Sequence, residues 1–157
     1  MADDTPSSER IIYEPSAQHP GWMTWDMRPE DQHRFNPVMG PMLVRSEGDG
    51  RARVRMTPTE RLSNLHNNMH GGAILAFLDM AMFAGAKQAG VPFAEGALTV
   101  DAQAQFVAPV QLHIPLDCLV DITRETRNLV FVRGTMEQAG QQCVAWTGLL
   151  KKVSRRG

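Results

Sequence analysis

The longest apolar segment of the chain lies between residues 71 and 88, and Asp79 is the only charged residue from position 73 to position 84. The segment is rich in Ala, Leu and Met, which are good helix formers. No proline follows until Pro92, and Gly90 is a suitable end signal. The pattern predicts one long helix. Because it is apolar nearly all round, we expect it to be buried on nearly all sides.

On both sides of this helix, apolar and polar residues alternate with the period of two that is typical of half-buried strands. Residues 42–57 contain the turn sequence Glu47 to Gly50, which predicts a hairpin. Four further alternating runs occupy residues 98–106, 116–123, 128–137 and 142–153. One long helix and one antiparallel sheet make an α+β arrangement, in which the sheet can curl around the helix.

The beginning of the chain has a different character. Residues 1–20 are polar and carry three prolines, which is typical of a loosely held arm. Apolar anchors follow around a predicted short helix at 29–35, whose first position, Pro29, suits a first helical turn. The sequence therefore predicts an N-terminal arm with a short helix at residues 1–41 and a globular domain at residues 42–157.

Composition narrows the classes of function. The 157 residues are 43% hydrophobic and 21% charged with a formal net charge of -1, which is ordinary for a globular protein. No strong basic field favours nucleic acid or an anionic membrane as a partner. The polar, acidic start lacks the features of a secretory signal, and no apolar run has the length of a membrane span. We expect a cytoplasmic protein.

His70, Gly71 and Gly72 stand at the start of the predicted helix. The first N–H groups of a helix have no partner within it, and the macrodipole makes that end positive. Such a place can stabilise a carbonyl oxygen that gains negative charge. A pair of glycines often only marks a turn, so this alternative stays open.

Asp79 is a carboxylate inside an apolar helix, where burial without a partner is costly. It is either a structural residue bonded to a neighbour, or a general base or nucleophile whose pKa is tuned by burial. It follows Gly71 by eight residues, about 12 Å along a helix. One small carbonyl group cannot contact both residues of the same chain. If both serve one reaction, the active site lies at a symmetric dimer interface, with two sites per dimer.

Asn64 precedes His70 by six residues in a polar stretch. Its side-chain amide is either a second donor to the oxyanion or a turn residue. His66 and His70 are four residues apart, but the glycines that follow make a helix holding both improbable and no third ligand is evident. Cys118 and Cys143 also lack a metal-binding spacing. We therefore expect no metal site.

The chain resembles the hotdog-fold thioesterases of the phenylacetic-acid-degradation type over roughly residues 42–153. The resemblance rests on Asn64, His70, Gly71, Gly72, Asp79 and the sequence Leu98, Thr99, Val100, Asp101. It implies a hotdog fold, in which a curled antiparallel sheet wraps one long central helix, and makes residues 42–157 a hotdog thioesterase domain.

The resemblance also implies roles for these residues. Asp79 would be the base or nucleophile, and the Gly71 N–H and the Asn64 amide would polarise the thioester carbonyl. Thr99 would help to place the water. His70 and Gly72 would help to bind the substrate, with His70 orienting the loop rather than transferring protons.

The implied activity is hydrolysis of an acyl-CoA to a free acid and CoA by a homodimer or homotetramer. CoA is then part of the substrate, and no cofactor is expected. Two alternatives remain. A non-catalytic acyl-CoA-binding hotdog module would not need Asp79, and a hotdog enoyl-CoA hydratase or dehydratase would use a histidine and a carboxylate at a different spacing. Some apolar side chains could line an acyl pocket, although apolar helix residues of this kind are more often plain core; they are Trp22, Trp25, Phe77, Met80, Met82 and Phe83.

Overall fold

One long helix, α1 (Gly71–Gln88), packs against an eight-stranded antiparallel sheet in the computed structural model, which describes residues 7–154. In chain order the strands are β1 (Ile11–Pro15), β2 (Met23–Met27), β3 (Met42–Gly48), β4 (Arg51–Met56), β5 (Ala97–Phe106), β6 (Leu116–Glu125), β7 (Leu129–Gln138) and β8 (Gln141–Lys152). Across the sheet they run β1-β2-β3-β4-β6-β7-β8-β5. The predicted α+β hotdog architecture is confirmed.

The helix lies very close to the sheet because two glycines remove side chains from the contact. A Cβ atom at Gly85 of α1 would overlap the side chain of Val120 in β6, and one at Gly148 of β8 would overlap Met82. Phe77 and Leu78 are fully buried in the same layer. The apolar run thus forms the predicted helix and fills the concave side of the sheet.

One stripe of the helix departs from the expectation of burial on nearly all sides. Gly72, Leu75 and Asp79 are exposed in the single chain, and Leu75 keeps 42% of its surface. The neighbouring strand β5 forms an edge of the sheet and also carries exposed apolar side chains. These are Leu98 at 62%, Val100 at 55% and Phe106 at 51% exposure. The exposed stripe of α1 and the edge strand β5 together form an apolar surface that is open to solvent in the single chain.

The prediction of a loosely held arm at residues 1–20 is wrong for residues 11–15, which form β1. Strands β1 and β2 pair with each other, and β2 continues the sheet by pairing with β3 through Met23 and Val44. Each strand has five residues, too few for alternation to be distinctive, and their partner strand supplies the order. We call β1, β2 and the residues between them the N-terminal hairpin.

Where the sequence predicts one helix at 29–35, the structure has a single 3-10 turn at Pro29–Asp31, and a second 3-10 helix, Asn36–Met39, follows the predicted range. The boundary at residue 41 stays a prediction, although the sheet runs across it. The ends of the two predicted parts, residues 1–6 and 155–157, lie outside the described residues. Among the residues described, no helix combines the length and apolar character needed to cross a membrane.

Trp22 fastens the N-terminal hairpin to the outer face of the sheet. Its ring lies between the guanidinium groups of Arg45 and Arg55, at 4.6 and 4.7 Å from the ring centroid. Arg55 in turn donates to both carboxylate oxygens of Asp117, at 2.6 and 2.8 Å, and Arg53 donates to the same carboxylate at 2.9 Å. The hairpin is therefore held by cation–π contacts to a fixed ion-pair network.

Asp117 is 8% exposed, so its charge depends on these partners. Burial acts most strongly and would raise its pKa, but hydrogen bonds and charge from Arg55 and Arg53 outweigh burial and hold the pKa of Asp117 below its usual range. The network is thus a source of acid-sensitive stability.

Candidate active site

His70 caps the first turn of α1. Its backbone is extended, and its Nδ1 atom accepts a hydrogen bond from the Gly72 N–H at 2.9 Å. Its own N–H donates to the Leu62 carbonyl at 2.7 Å. The Gly71 N–H has no hydrogen-bond partner among the residues described. His70 therefore shapes the turn, and the Gly71 N–H remains available to a ligand.

Asn64 holds a tight turn through one side of its amide. Its Oδ1 atom accepts from the N–H groups of His66 at 2.8 Å and Asn68 at 3.1 Å. These two bonds fix the orientation of the amide, and the Nδ2 group has no partner within residues 7–154. The two interpretations of Asn64 are therefore compatible, because the oxygen serves the turn while the nitrogen can donate.

A cavity of about 530 Å³ opens beside these donors. It is lined by Asn64, His66, Asn68, Met69, Gly71, Ile74, Phe106, Val107, Ala108, Pro109 and Val110. The structure therefore brings Asn64 and Gly71 to one cavity.

Gln138 holds in place the loop that contributes Val110 to this cavity. It is 6% exposed, accepts from the Gln111 N–H at 2.8 Å, and donates to the carbonyls of Gln111 and Ile114, both at 2.9 Å. The braced loop supplies the Val110 carbonyl that receives the Met69 N–H at 2.8 Å. Sequence reasoning missed Gln138, because a glutamine at a strand end beside Ala139 and Gly140 looks like an ordinary turn residue.

Thr99 and Asp79 meet at a second place. The Thr99 hydroxyl donates to Asp79 Oδ1 at 2.5 Å. A β-bulge between Thr99 and Asp101 shifts the register of β5 against β8 at this point, and bulges commonly re-aim side chains next to active sites. Asp79 is exposed in the single chain, contrary to the expectation of a buried carboxylate.

A cavity of about 240 Å³ lies next to this pair. Its lining comes from α1, the sheet and the N-terminal segment, and consists of Arg10, Ile11, Trp25, Met27, Asn36, Asp79, Met80, Phe83, Ala97, Thr99 and Leu150. No histidine belongs to this lining. The N-terminal segment therefore reaches the carboxylate that the sequence singles out.

The candidates for an acyl pocket divide between this cavity and the core, except Trp22, which packs against Arg45 and Arg55 on the outer face of the sheet. Trp25, Met80 and Phe83 line the cavity. Phe77 and Met82 are fully buried core residues. Helical periodicity alone cannot separate Met80 and Phe83 from Phe77 and Met82, because all four lie within one apolar run.

One chain thus contains two separate half-sites. Gly71 lies beside Phe106, since a Cβ atom at Gly71 would be 3.8 Å from Phe106 Cζ. Asp79 lies beside Thr99, seven residues earlier on β5, which is about 23 Å along a strand. Gly71 and the Asp79 carboxylate therefore lie beside opposite ends of the same edge strand.

The described part of the chain contains no cluster of side chains that could bind a metal ion. Within residues 7–154, no three side chains of His, Cys, Asp or Glu are grouped so that they could hold a metal ion. Cys118 and Cys143 are buried free thiols, and burial raises the pKa of both. The chemical groups at the two half-sites are amide donors, a hydroxyl and a carboxylate.

Comparison with known proteins places this geometry in a family. The model of the thioesterase superfamily matches residues 66–145, just over half of the chain. This range contains α1, Asp79, Gly71 and Thr99. No curated protein sequence gives a significant match.

Solved structures share the fold at low sequence identity. The PaaI protein of the E. coli phenylacetic acid degradation operon has a TM-score of 0.64 and 18% identity, covering 74% of this chain and 82% of that one. A phenylacetic acid degradation-related protein from Ralstonia eutropha JMP134 has a TM-score of 0.67 and 20% identity, covering 80% and 92%.

A third structure, a hypothetical thioesterase from Streptococcus pneumoniae TIGR4 with coenzyme A, has a TM-score of 0.61 and 15% identity, covering 73% of this chain and 90% of that one. The fold, the helix N-terminus and the family match agree with one another. The chain belongs to the thioesterase superfamily of hotdog-fold thioester hydrolases.

Proposed function

We propose that the protein is an acyl-CoA thioesterase that hydrolyses its substrate to a free acid and CoA at a site formed across a dimer interface. The observation that carries the proposal is the position of the two half-sites on β5. Thr99 and Asp79 lie at one end of this exposed edge strand, and Phe106 and Gly71 lie at the other.

Pairing of two β5 strands would unite the half-sites. An exposed edge strand with apolar side chains is a ready partner for another strand. If two copies pair antiparallel about a two-fold axis between Ala102 and Gln103, Thr99 lies opposite the partner's Phe106. Asp79 of one chain then faces the partner's Gly71, twice per dimer. The same pairing covers the exposed stripe of α1.

The mechanism follows from the groups brought together. The Gly71 N–H and Asn64 Nδ2 of one chain would hold the carbonyl oxygen as it gains charge. Asp79 of the other chain would either take a proton from an attacking water or attack the carbonyl itself, and Thr99 would position the water. The carbon–sulfur bond then breaks, and in the first route the leaving CoA sulfur takes the proton that Asp79 removed from the water. In the second route the sulfur leaves as a thiolate, and the water that then hydrolyses the mixed anhydride supplies its proton, releases the free acid and restores the Asp79 carboxylate.

Acyl-CoA as the substrate class is supported by relatives of the same fold. The Streptococcus pneumoniae structure contains coenzyme A, and a Streptococcus mutans structure with 17% identity and a TM-score of 0.61 is bound to acetyl CoA. We expect the protein to act in the cytoplasm as a homodimer or a homotetramer, without a cofactor other than the CoA of its substrate.

The two alternatives fit the site less well. A binding module has no need for a carboxylate that is hydrogen-bonded to a threonine hydroxyl beside an apolar cavity. A hydratase or dehydratase of this fold would use a histidine as a proton-transfer group, whereas the histidine nearest Gly71, His70, uses its Nδ1 atom to accept the Gly72 N–H.

Replacement of Asp79 by Asn tests the catalytic assignment. Asn keeps an acceptor for the Thr99 hydroxyl but cannot act as a base, so we expect thioester hydrolysis to fall by at least about 100-fold. Release of the CoA thiol from a panel of acyl-CoAs measures the rate, and size-exclusion chromatography with circular dichroism verifies that the variant stays folded and dimeric. Near-normal turnover by Asp79→Asn would refute the assignment.

A mixed dimer tests whether each site uses both chains. Asn64→Asp keeps the acceptors that hold the turn but removes the amide donor, so Asp79→Asn and Asn64→Asp should each be inactive alone. Random mixing puts half of the dimers in mixed form, each with one intact site and one doubly altered site. We expect about a quarter of wild-type activity to return. No recovery after verified subunit exchange would place both residues in a site within one chain.

A further inference from the structure

We infer that the N-terminal hairpin selects the acyl group, and that it favours acyl groups of about eight non-hydrogen atoms, either a straight chain or an aromatic ring on a short linker. This inference rests on the proposed function and concerns the cavity beside Asp79. The hairpin contributes Ile11, Trp25 and Met27 to that cavity.

The chemistry of the lining indicates an apolar occupant. Seven lining side chains are apolar, namely Ile11, Trp25, Met27, Met80, Phe83, Ala97 and Leu150. Asp79 supplies the carboxylate and Thr99 the hydroxyl that the proposed reaction uses. The only cation of the lining, Arg10, already donates to the buried carboxylate of Asp31 at 2.8 Å. An uncharged hydrocarbon tail therefore suits the cavity.

The hairpin forms a fixed wall rather than a loose cover. Trp25 is 5% exposed and makes edge-on contacts with Phe83 of α1 and Tyr13 of β1, each with ring centroids 5.8 Å apart. Trp22 holds the start of β2 between two arginines. Asp31 ties Arg10, at the start of β1, to Arg34. A rigid aromatic wall limits length, because a longer chain could enter only by displacing packed side chains.

The volume of the cavity sets the size of the acyl group. It measures about 240 Å³. At about 30 Å³ for each water-sized group, this space holds roughly eight non-hydrogen atoms. An octanoyl or a phenylacetyl tail meets this limit, whereas a palmitoyl tail exceeds it about twofold.

Two variants should move the preference in opposite directions. Trp25→Leu removes the aromatic wall while keeping an apolar core residue, and we expect the best substrate to lengthen by at least two carbons. Met27→Trp fills the cavity, and we expect kcat/KM for octanoyl-CoA to fall at least tenfold while butyryl-CoA hydrolysis changes little. Met23→Trp is the matched control, since Met23 lies on the same face of β2 but outside the lining.

The test measures kcat/KM for straight-chain acyl-CoAs of two to sixteen carbons and for phenylacetyl-CoA with all four proteins. For the wild type, we expect a maximum near eight carbons and at least a tenfold lower value at sixteen. Unchanged length profiles in Trp25→Leu and Met27→Trp, both folded and dimeric, would overturn the inference while leaving the proposed function intact.

A binding experiment keeps the two proposals separable. Isothermal titration with non-hydrolysable S-octyl-CoA and S-hexadecyl-CoA measures the pocket without turnover. If the wild type hydrolyses no acyl-CoA, the proposed function fails, and this titration alone decides the inference. Preference for the octyl ligand that Met27→Trp abolishes and Met23→Trp retains would support it, and equal binding of both ligands by all four proteins would refute it.

Discussion

The side chains of His70 and Asn64 each form local hydrogen bonds that hold a turn and leave a nearby N–H group able to bind a ligand. His70 uses Nδ1 to satisfy the Gly72 N–H, and the Gly71 N–H keeps no acceptor among the described residues. Asn64 uses its oxygen for the turn and leaves its nitrogen free. A first helical turn with three unpaired backbone N–H groups would be poorly ordered. The hydrogen bond from the Gly72 N–H to His70 fixes the orientation of the neighbouring Gly71 N–H.

Substitution of His70 separates capping from proton transfer. Asn is a strong N-cap and cannot act as a base, so we expect His70→Asn to keep kcat within about threefold of the wild type. His70→Ala loses the cap and should lower the free energy of unfolding by about 1 kcal/mol, with a clear loss of rate. Urea denaturation and steady-state kinetics measure both effects. If His70→Asn were as inactive as Asp79→Asn, the imidazole would be a proton-transfer group.

At the level of single residues, the sequence predicts the candidate site residues better than the residues that hold them in place. Asp79 stands out as a charge in an apolar helix, and the resemblance to the hotdog thioesterases implies Gly71, Asn64 and Thr99. The bracing by Gln138 is invisible in the sequence, because it depends on a loop that arrives from another part of the chain. The exposure of Asp79 also escapes prediction, because an apolar pattern does not tell whether the same chain or another one provides the cover.

Among the elements, the N-terminal hairpin gains its order from the rest of the sheet. Trp22 lies between Arg45 and Arg55, and Arg55 is oriented by Asp117. The buried carboxylate of β6 therefore supports a contact made by a segment nearly one hundred residues away in the chain. Loss of this charge should weaken the sheet and the attachment of the hairpin together.

Acid titration of Asp117 tests this link. Its pKa in the folded chain is lowered from 3.8, so the charged form stabilises the fold fully above about pH 4, and this stabilisation is lost as pH falls through the folded-state pKa. We expect Asp117→Asn to cost about 3 kcal/mol at pH 7, with the difference from wild type shrinking below pH 4. Denaturant unfolding at a series of pH values measures it.

Asp49→Asn provides the control for this titration. Asp49 has a 93% exposed side chain, lies 3.7 Å from Arg51, and occupies a turn with φ of 50°, which Asn adopts readily. We expect a change within about 0.5 kcal/mol at every pH. A loss from Asp117→Asn that stayed constant down to pH 2 would show that packing, and not charge, is responsible.

The elements themselves differ in how far local pattern determines them. Helix α1 begins and ends where the sequence places it, because its apolar run, its two glycines and its end signal all act locally. Strands β3 to β8 are long enough for alternation to be recognised. Strands β1 and β2 are not, since a segment such as Ile11–Pro15 has five residues with no alternation and becomes a strand only beside its partner.

Considered as a whole, the single chain has an open edge at β5 and an open stripe on α1, and both lie on the face that the proposed dimer covers. A charge on this edge should prevent pairing. We expect Val100→Lys to give a folded monomer whose thioesterase activity falls by at least about 100-fold, because lysine on an edge strand blocks addition of a further strand. Analytical ultracentrifugation and the CoA-release assay measure the two effects.

Phe131→Lys is the matched control for this change. Phe131 is also an exposed apolar residue, at 39%, but it lies on β7 in the interior of the sheet. We expect this variant to remain dimeric and active. A Val100→Lys protein that stayed dimeric and fully active would show that subunits associate through a different surface.

The separation of eight positions between Gly71 and Asp79 would also govern how activity depends on the amount of protein. If each half-site is completed only by a second copy, as we propose, a lone protomer is inactive. At concentrations below the dimer dissociation constant, the number of working sites rises with the square of the protomer concentration. Twofold more protein then gives about fourfold more hydrolysis, so modest changes in expression would be amplified in the turnover of thioesters.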